Sequence, residues 1–135
     1  MRTYKLQIPA AIAMLILAGL ACGGSFSTAN IDSAILSTDE AGTQKTTVFA
    51  QDQIFYCIVT LANAPEDTTL KAVWTAVDVE GEQPDLLIDQ TEATAGNQNV
   101  FTFNLSNDQL WPTGKYKVDL YLNDALDRTL NFEVQ

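Results

Sequence analysis

The sequence predicts an all-β sandwich. From residue 30 onward the apolar residues recur with period two rather than 3.6. Runs of β-branched and aromatic residues alternate with turn clusters at the spacing of a sandwich. No segment of that region reads as a convincing helix, and seven or eight short strands without helices argue for two packed antiparallel sheets. The 135 residues leave room for one domain of ordinary size. An apolar content of 47% supplies its core.

Residues 1–21 stand outside that pattern. Arg2 and Lys5 make a positive start, and Leu6 to Ala21 is an uncharged apolar stretch broken by Gln7 and Pro9. This is the layout of a secretory signal peptide, expected as a helix. It is short for a spanning helix, which wants about 20 apolar residues. Small residues then lead to a cysteine, in Ala18-Gly19-Leu20-Ala21-Cys22. The segment resembles a bacterial lipoprotein signal, whose lipobox ends in a small residue followed by Cys. Ala21 and Cys22 match, Leu20 is acceptable, and Gly19 departs from the usual Leu, Val or Ile. The resemblance implies cleavage before Cys22, a diacylglyceryl thioether on its sulfur and an acyl group on its amine. Several acyl chains exceed the marginal hold of one. An ordinary secretory signal with a chance cysteine near the cut is the competing reading. Gly23 follows, so no Asp at that position suggests inner-membrane retention. Residues 22–29 then read as lipidated Cys22 and a short Gly/Ser/Thr tether reaching about 15 Å. Residues 30–135 remain for the folded domain.

The strands follow in order. Ile31 to Ser37 is the first candidate and Thr46 to Ala50 the second. Ile54 to Leu61 is the strongest run, with Phe55, Cys57, Val59 and Leu61 on one face. Asn63-Ala64-Pro65-Glu66-Asp67 breaks it. Leu70 to Val79 comes next, closed by the turn at Glu80-Gly81-Glu82-Gln83-Pro84. Leu86 to Thr91 is weaker and ends near Ala95-Gly96-Asn97. Asn99 to Leu105 places Phe101, Phe103 and Leu105 on one face. Lys115 to Leu122 does the same with Tyr116, Val118, Leu120 and Leu122. Asn123-Asp124 lies near a hairpin turn, and Arg128 to Val134 closes the chain with Leu130, Phe132 and Val134 facing one way.

Three features resemble the immunoglobulin-like sandwich family. Cys57 lies on a strong early strand, and Trp74 lies on the next, in Lys71-Ala72-Val73-Trp74-Thr75. Late in the chain, Gly114-Lys115-Tyr116-Lys117-Val118 resembles the tyrosine corner, where a Tyr stands two residues before the second Cys of antibody-type domains. Here Val118 occupies that second position. The resemblance therefore implies an immunoglobulin-like fold without the inter-sheet disulfide, with Cys57 packed near Val118 and Trp74. The family fold by itself implies no particular activity.

Charge and composition exclude whole classes of function. Lys and Arg total 7 against 17 Asp and Glu, a net charge of −10, and there is no His. The first 21 residues hold two cations and no acids, so the remainder carries −12. Nucleic-acid affinity rests largely on Lys and Arg at phosphates, so no nucleic-acid partner is expected. Chemistry that needs imidazole is excluded. With Cys22 lipidated, Cys57 has no partner. An unpaired Cys offers a reactive thiol or an intermolecular bridge, but its apolar strand and the lack of a nearby cation in sequence favour a buried structural thiol.

Few candidate sites remain. Asp78, Glu80, Glu82 and Asp85 place four carboxylates around one turn, and calcium wants six to eight oxygens. Gly81 comes too early for an EF-hand, so a solvated acidic hairpin competes with calcium binding. A glycosidase pair needs two carboxylates facing across a cleft, which a small sandwich has little room for. Trp111 beside Pro112 offers either a stacking platform for a partner or a plug for one end of the sandwich. With Trp74 pointing inward, Val73, Thr75 and Val77 point outward, next to Lys117, Asp119 and Tyr121. Tyr121, Trp111, Val73 and Val77 are thus the candidate partner surface. The expected function is a membrane-anchored envelope lipoprotein, exposed to periplasm or exterior, displaying a non-catalytic binding or adaptor domain to a protein partner. A small-solute or calcium-binding lipoprotein, or an enzyme inhibitor acting through its loops, is the alternative.

Overall fold

Wherever the sequence alternates, the chain runs as a strand. The structure is a computed structural model describing residues 28–135. The expected signal peptide and the lipidation position Cys22 lie outside the described residues. Eight strands follow in order: β1 Asn30–Ser37, β2 Val48–Phe49, β3 Phe55–Ala62, β4 Thr69–Val79, β5 Leu86–Thr94, β6 Val100–Leu105, β7 Gly114–Leu122 and β8 Ala125–Val134. They form a three-stranded sheet, β1-β3-β6, facing a five-stranded sheet, β2-β8-β7-β4-β5. All pairings are antiparallel except β2 with β8.

The two inner faces are the apolar parities of the strands. In β3, Phe55, Cys57, Val59 and Leu61 are buried and the residues between them half-buried. Across the core stand Leu70, Ala72, Trp74 and Ala76 of β4, and Tyr116, Val118 and Leu120 of β7. Aromatic rings fill one end. Phe55 stacks on Trp111 at 4.6 Å between ring centroids. It meets Phe49, Phe132 and Tyr116 edge-on at 4.9, 4.8 and 5.7 Å. Such offset and edge-to-face contacts add about 0.5–1.5 kcal/mol per pair beyond area burial.

Of the boundaries that differ from the sequence pattern, among them the end of β5 at Thr94 rather than Thr91, two have a clear physical reason. The second strand is only Val48–Phe49, not residues 46–50. The Thr46 N–H still donates to the Leu36 carbonyl at 3.1 Å, and Lys45 bridges to Ser37. The chain is therefore held to β1 until Thr47, whose carbonyl accepts the first bond from Glu133 of β8 at 2.9 Å. The last strand starts earlier than Arg128, at Ala125. Asn123 and Asp124 both take positive φ, 50° and 68°. That is the two-residue turn whose twist matches a hairpin.

The strands give the sandwich two poles. At one lie the start of β1, the 63–68 loop and the 123–124 turn. Thr28 is tied there by its hydroxyl, which donates to the Asn63 carbonyl at 3.0 Å. At the other lie the 38–47 crossing, the β4–β5 turn, the β6–β7 segment 106–113 and the end of β8. The eleven residues of β4 separate the poles by about 35 Å.

Candidate functional site

The tyrosine corner is present. Tyr116 is buried on the inner face, and its hydroxyl donates to the Pro112 carbonyl at 2.6 Å. Burial, together with the nearby Glu82 carboxylate, pushes its phenol up to about 12. Val118 stands two residues on, in register with Trp74 of β4. Cys57 is a free thiol, 0% exposed, in the same core cluster. Burial pushes it up to about 12, which keeps it a neutral apolar group.

Trp74 points inward, so its neighbours on β4 point outward. Val73 is half-buried there, in register between Gln90 and Asp119. Next to it the Lys71 ammonium sits 4.8 Å from the Tyr121 ring centroid, a cation–π pair. Lys117 pairs with Asp119 at 3.5 Å, and the Thr129 hydroxyl donates to the same carboxylate. Thr75 shares the outward parity yet is buried. The four candidate partner residues do not form one patch. Val77 lies six residues from Lys71, about 20 Å along the strand from Tyr121, beside the irregularity between Ala76 and Asp78.

Trp111 is elsewhere again. It is 6% exposed and plugs the far pole. Its indole N–H donates to the Gln53 carbonyl at 3.0 Å. Its backbone N–H donates to the Gln51 carbonyl at 2.9 Å, and its own carbonyl accepts from the Gln51 amide at 2.8 Å. The ring is thus fixed in a wall and does not project as an anchor.

The structure does not bring the four carboxylates of the acidic turn together. Gly81 and Asp85 take positive φ, 85° and 56°, and turn the chain tightly. The Glu80 N–H donates to the Thr113 carbonyl at 3.0 Å and the Asp85 N–H to the Val77 carbonyl at 3.0 Å. Asp78 stays on the strand opposite Lys115, whereas Glu82 lies by Tyr116. The carboxylates are spread over different sides of the turn. Among the described residues, no group of three or more His, Cys, Asp or Glu side chains is placed to hold a metal.

The sequence did not single out one feature of this pole. A groove of about 400 Å³ opens between β5 and the 106–113 segment. Leu86 and Ile88, Val79, Leu110 and the edge of Trp111 line it, with Glu82 at its rim. Leu110 is 62% exposed. Ser106 to Leu110 has no periodicity in sequence, so only the single Leu beside Trp111 hinted at it.

No protein-family model and no curated protein matches the chain. Among solved structures, an immunoglobulin-like protein from Pseudomonas aeruginosa is similar, with a TM-score of 0.57 and 17% identity, over 83% of this chain and 100% of that one. An alkylpurine DNA glycosylase from Pseudomonas fluorescens, solved bound to DNA with an abasic-site analogue, is similar over 81% of this chain and 31% of its own, at 0.53 and 14%. A β-glucosidase involved in saponin metabolism, from intestinal bacteria, reaches 0.50 and 13% identity over 82% of this chain and 16% of its own. Similarity at such identities concerns the fold. The described chain is an immunoglobulin-like antiparallel β-sandwich of eight strands.

Proposed function

We propose that this chain is a lipid-anchored lipoprotein of a bacterial envelope whose sandwich binds a protein partner and performs no catalysis. The observation that carries the binding half is the filled interior. Phe55 alone contacts five other aromatic rings, so recognition has to take place on outer surfaces. The outer face of the five-stranded sheet, with Tyr121 under Lys71 and Val73 beside them, is the partner face of this reading. The lipobox-like Leu20-Ala21-Cys22 supports the anchor, and the −12 charge of residues 22–135 keeps the domain off anionic headgroups.

Cys22→Ser tests the anchor. Release of the protein from membranes, or accumulation of uncut precursor, is the expected result; mature protein still held in the membrane overturns it. Cross-linking in native membranes tests the face. A single partner band that disappears in Tyr121→Ala supports it, and a band indifferent to that change removes the face. A rise in melting temperature on adding Ca²⁺ would favour the ion-binding alternative, because a ligand bound only by the folded state stabilises it.

A further inference from the structure

We infer that the groove at the far pole is a docking site for an extended basic segment of a partner protein, which lays an apolar side chain into the groove and pairs with the free edge of β5. It goes beyond the binding reading above, at a different surface, and rests on it only for the outward orientation.

Three independent observations support this. The first is shape and lining. The groove holds about 400 Å³, walled by Val79, Leu86, Ile88 and Leu110. That is within the range of small ligand clefts and leaves room for an apolar side chain. Its wall is rigid, because Trp111 is tied by three hydrogen bonds and stacked on Phe55. Leu110, at 62% exposure, is the most exposed large apolar side chain of the described residues and sits at the mouth.

The second is the sheet edge. β5 ends the five-stranded sheet and pairs only with β4 among the described strands. Leu86 and Ile88 of this same edge strand line the groove. An unpaired edge beside an apolar slot is the arrangement in which an added strand gains main-chain bonds from the edge and specificity from the slot.

Charge complementarity is the third, and it fixes the partner's sign. Glu82 stands at the rim, close enough for its charge to act on the Tyr116 phenol. Asp85, Asp89 and Asp108 are exposed and adjoin the lining residues Leu86, Ile88 and Gln109 in sequence. Among the described residues, no Lys or Arg lines the groove. An apolar slot whose one charged lining residue is the carboxylate of Glu82 favours a segment carrying Lys or Arg beside its apolar residue over an acidic one. The pole also suits display. Thr28, where the described chain begins, lies at the opposite end, so a tether there points the groove away from the attachment.

The test uses the full chain in nanodiscs of zwitterionic lipid, with empty discs as the blank. Two labelled peptides are titrated by fluorescence anisotropy at low salt: acetyl-Lys-Leu-Lys-Leu-Lys-amide and its Glu-for-Lys counterpart. The lysine peptide is expected to bind about tenfold or more tightly than the glutamate peptide. Leu110→Ser should weaken it about tenfold by removing an apolar wall, and Glu82→Lys about fivefold. Leu126→Ser, similarly exposed but on β8, should leave it unchanged. All of these positions are exposed, so the variants keep the fold. Absence of binding, equal binding of both peptides, or a Leu110→Ser affinity equal to wild type overturns the inference. So does an equal loss in Leu126→Ser. None of these results depends on cleavage at Cys22 or on Tyr121, so the groove and the anchored-adaptor reading fail separately.

Discussion

Tyr116 joins sequence, packing and surface at one side chain. Its ring lies in the aromatic cluster, stacked on Phe132 at 5.5 Å, while its hydroxyl holds the turn that precedes β7. Tyr116→Phe keeps the ring and leaves the Pro112 carbonyl without its donor. The expected cost is about 1 kcal/mol, read as a lower urea midpoint with unchanged slope. Gly114 is the partner device. Its φ is +145°, and an added Cβ would lie 2.6 Å from the Val79 Cα and closer still to the Asp78 carbonyl oxygen. Gly114→Ala should therefore cost about 2 kcal/mol or more, combining positive-φ strain with a clash against rigid backbone. Gly81→Ala meets nothing within 4 Å and should cost only about 1 kcal/mol, from positive φ alone. Chemical denaturation of the pair separates the two effects. Cys57 should resist thiol reagents until the domain unfolds. With Tyr116 it also sets an alkaline limit. Both groups bind their protons more tightly folded than unfolded, where the ordinary values are 9.0 and 10.0. Their contribution is intact below pH 9 and is lost as pH rises toward 12. A melting curve that stays flat over that window would contradict their burial.

The crossing from β1 to β2 is the element least legible in sequence. Asp39 organises it. Its carboxylate accepts from the Ser37 hydroxyl at 2.5 Å, the Thr43 hydroxyl at 2.6 Å and the N–H groups of Thr43 and Gln44 at 3.1 and 2.8 Å. These bonds favour the charged form, led by the one from Ser37, and hold the carboxyl well below its ordinary value of 3.8. The clasp is therefore complete above that value and loosens as pH falls below it. Asp39→Asn should speed amide exchange at Thr43 and Gln44 at neutral pH; unchanged protection would show that the loop is held otherwise. The long strands could be read from alternation alone, because each buries one parity against a facing sheet. Phe55-Cys57-Val59-Leu61 is the clear case. The crossing could not be read, because its order comes from one carboxylate gathering donors that have no period. Trp111 was ambiguous for a related reason. Burial of a loop residue depends on what closes over it, here Gln51 and Gln53 from a distant part of the chain.

At the scale of the molecule, the acidic balance was visible from counting, but its placement was not. Asp78, Glu80, Glu82 and Asp85 surround the β4–β5 turn, Asp78 faces Lys115 across the β4–β7 pair, and Asp89 lies further along β5 opposite Trp74. The spacing of the acidic turn shows the same limit. Four acids within eight residues do not converge when the strand, the turn and the groove each take some of them. The poles have a mechanical corollary. β1 enters the sandwich from the pole of Thr28, and its peptide groups pair with β3 from Asn30 to Ser37. A force applied between that end and anything gripped at the opposite pole runs along the strands. It has to slide β1 against β3 and load the rungs of that ladder together, where a crosswise pull would peel them one at a time. The domain should therefore be stiff in the one direction in which a leash at Thr28 and a cargo at Leu110 would stretch it.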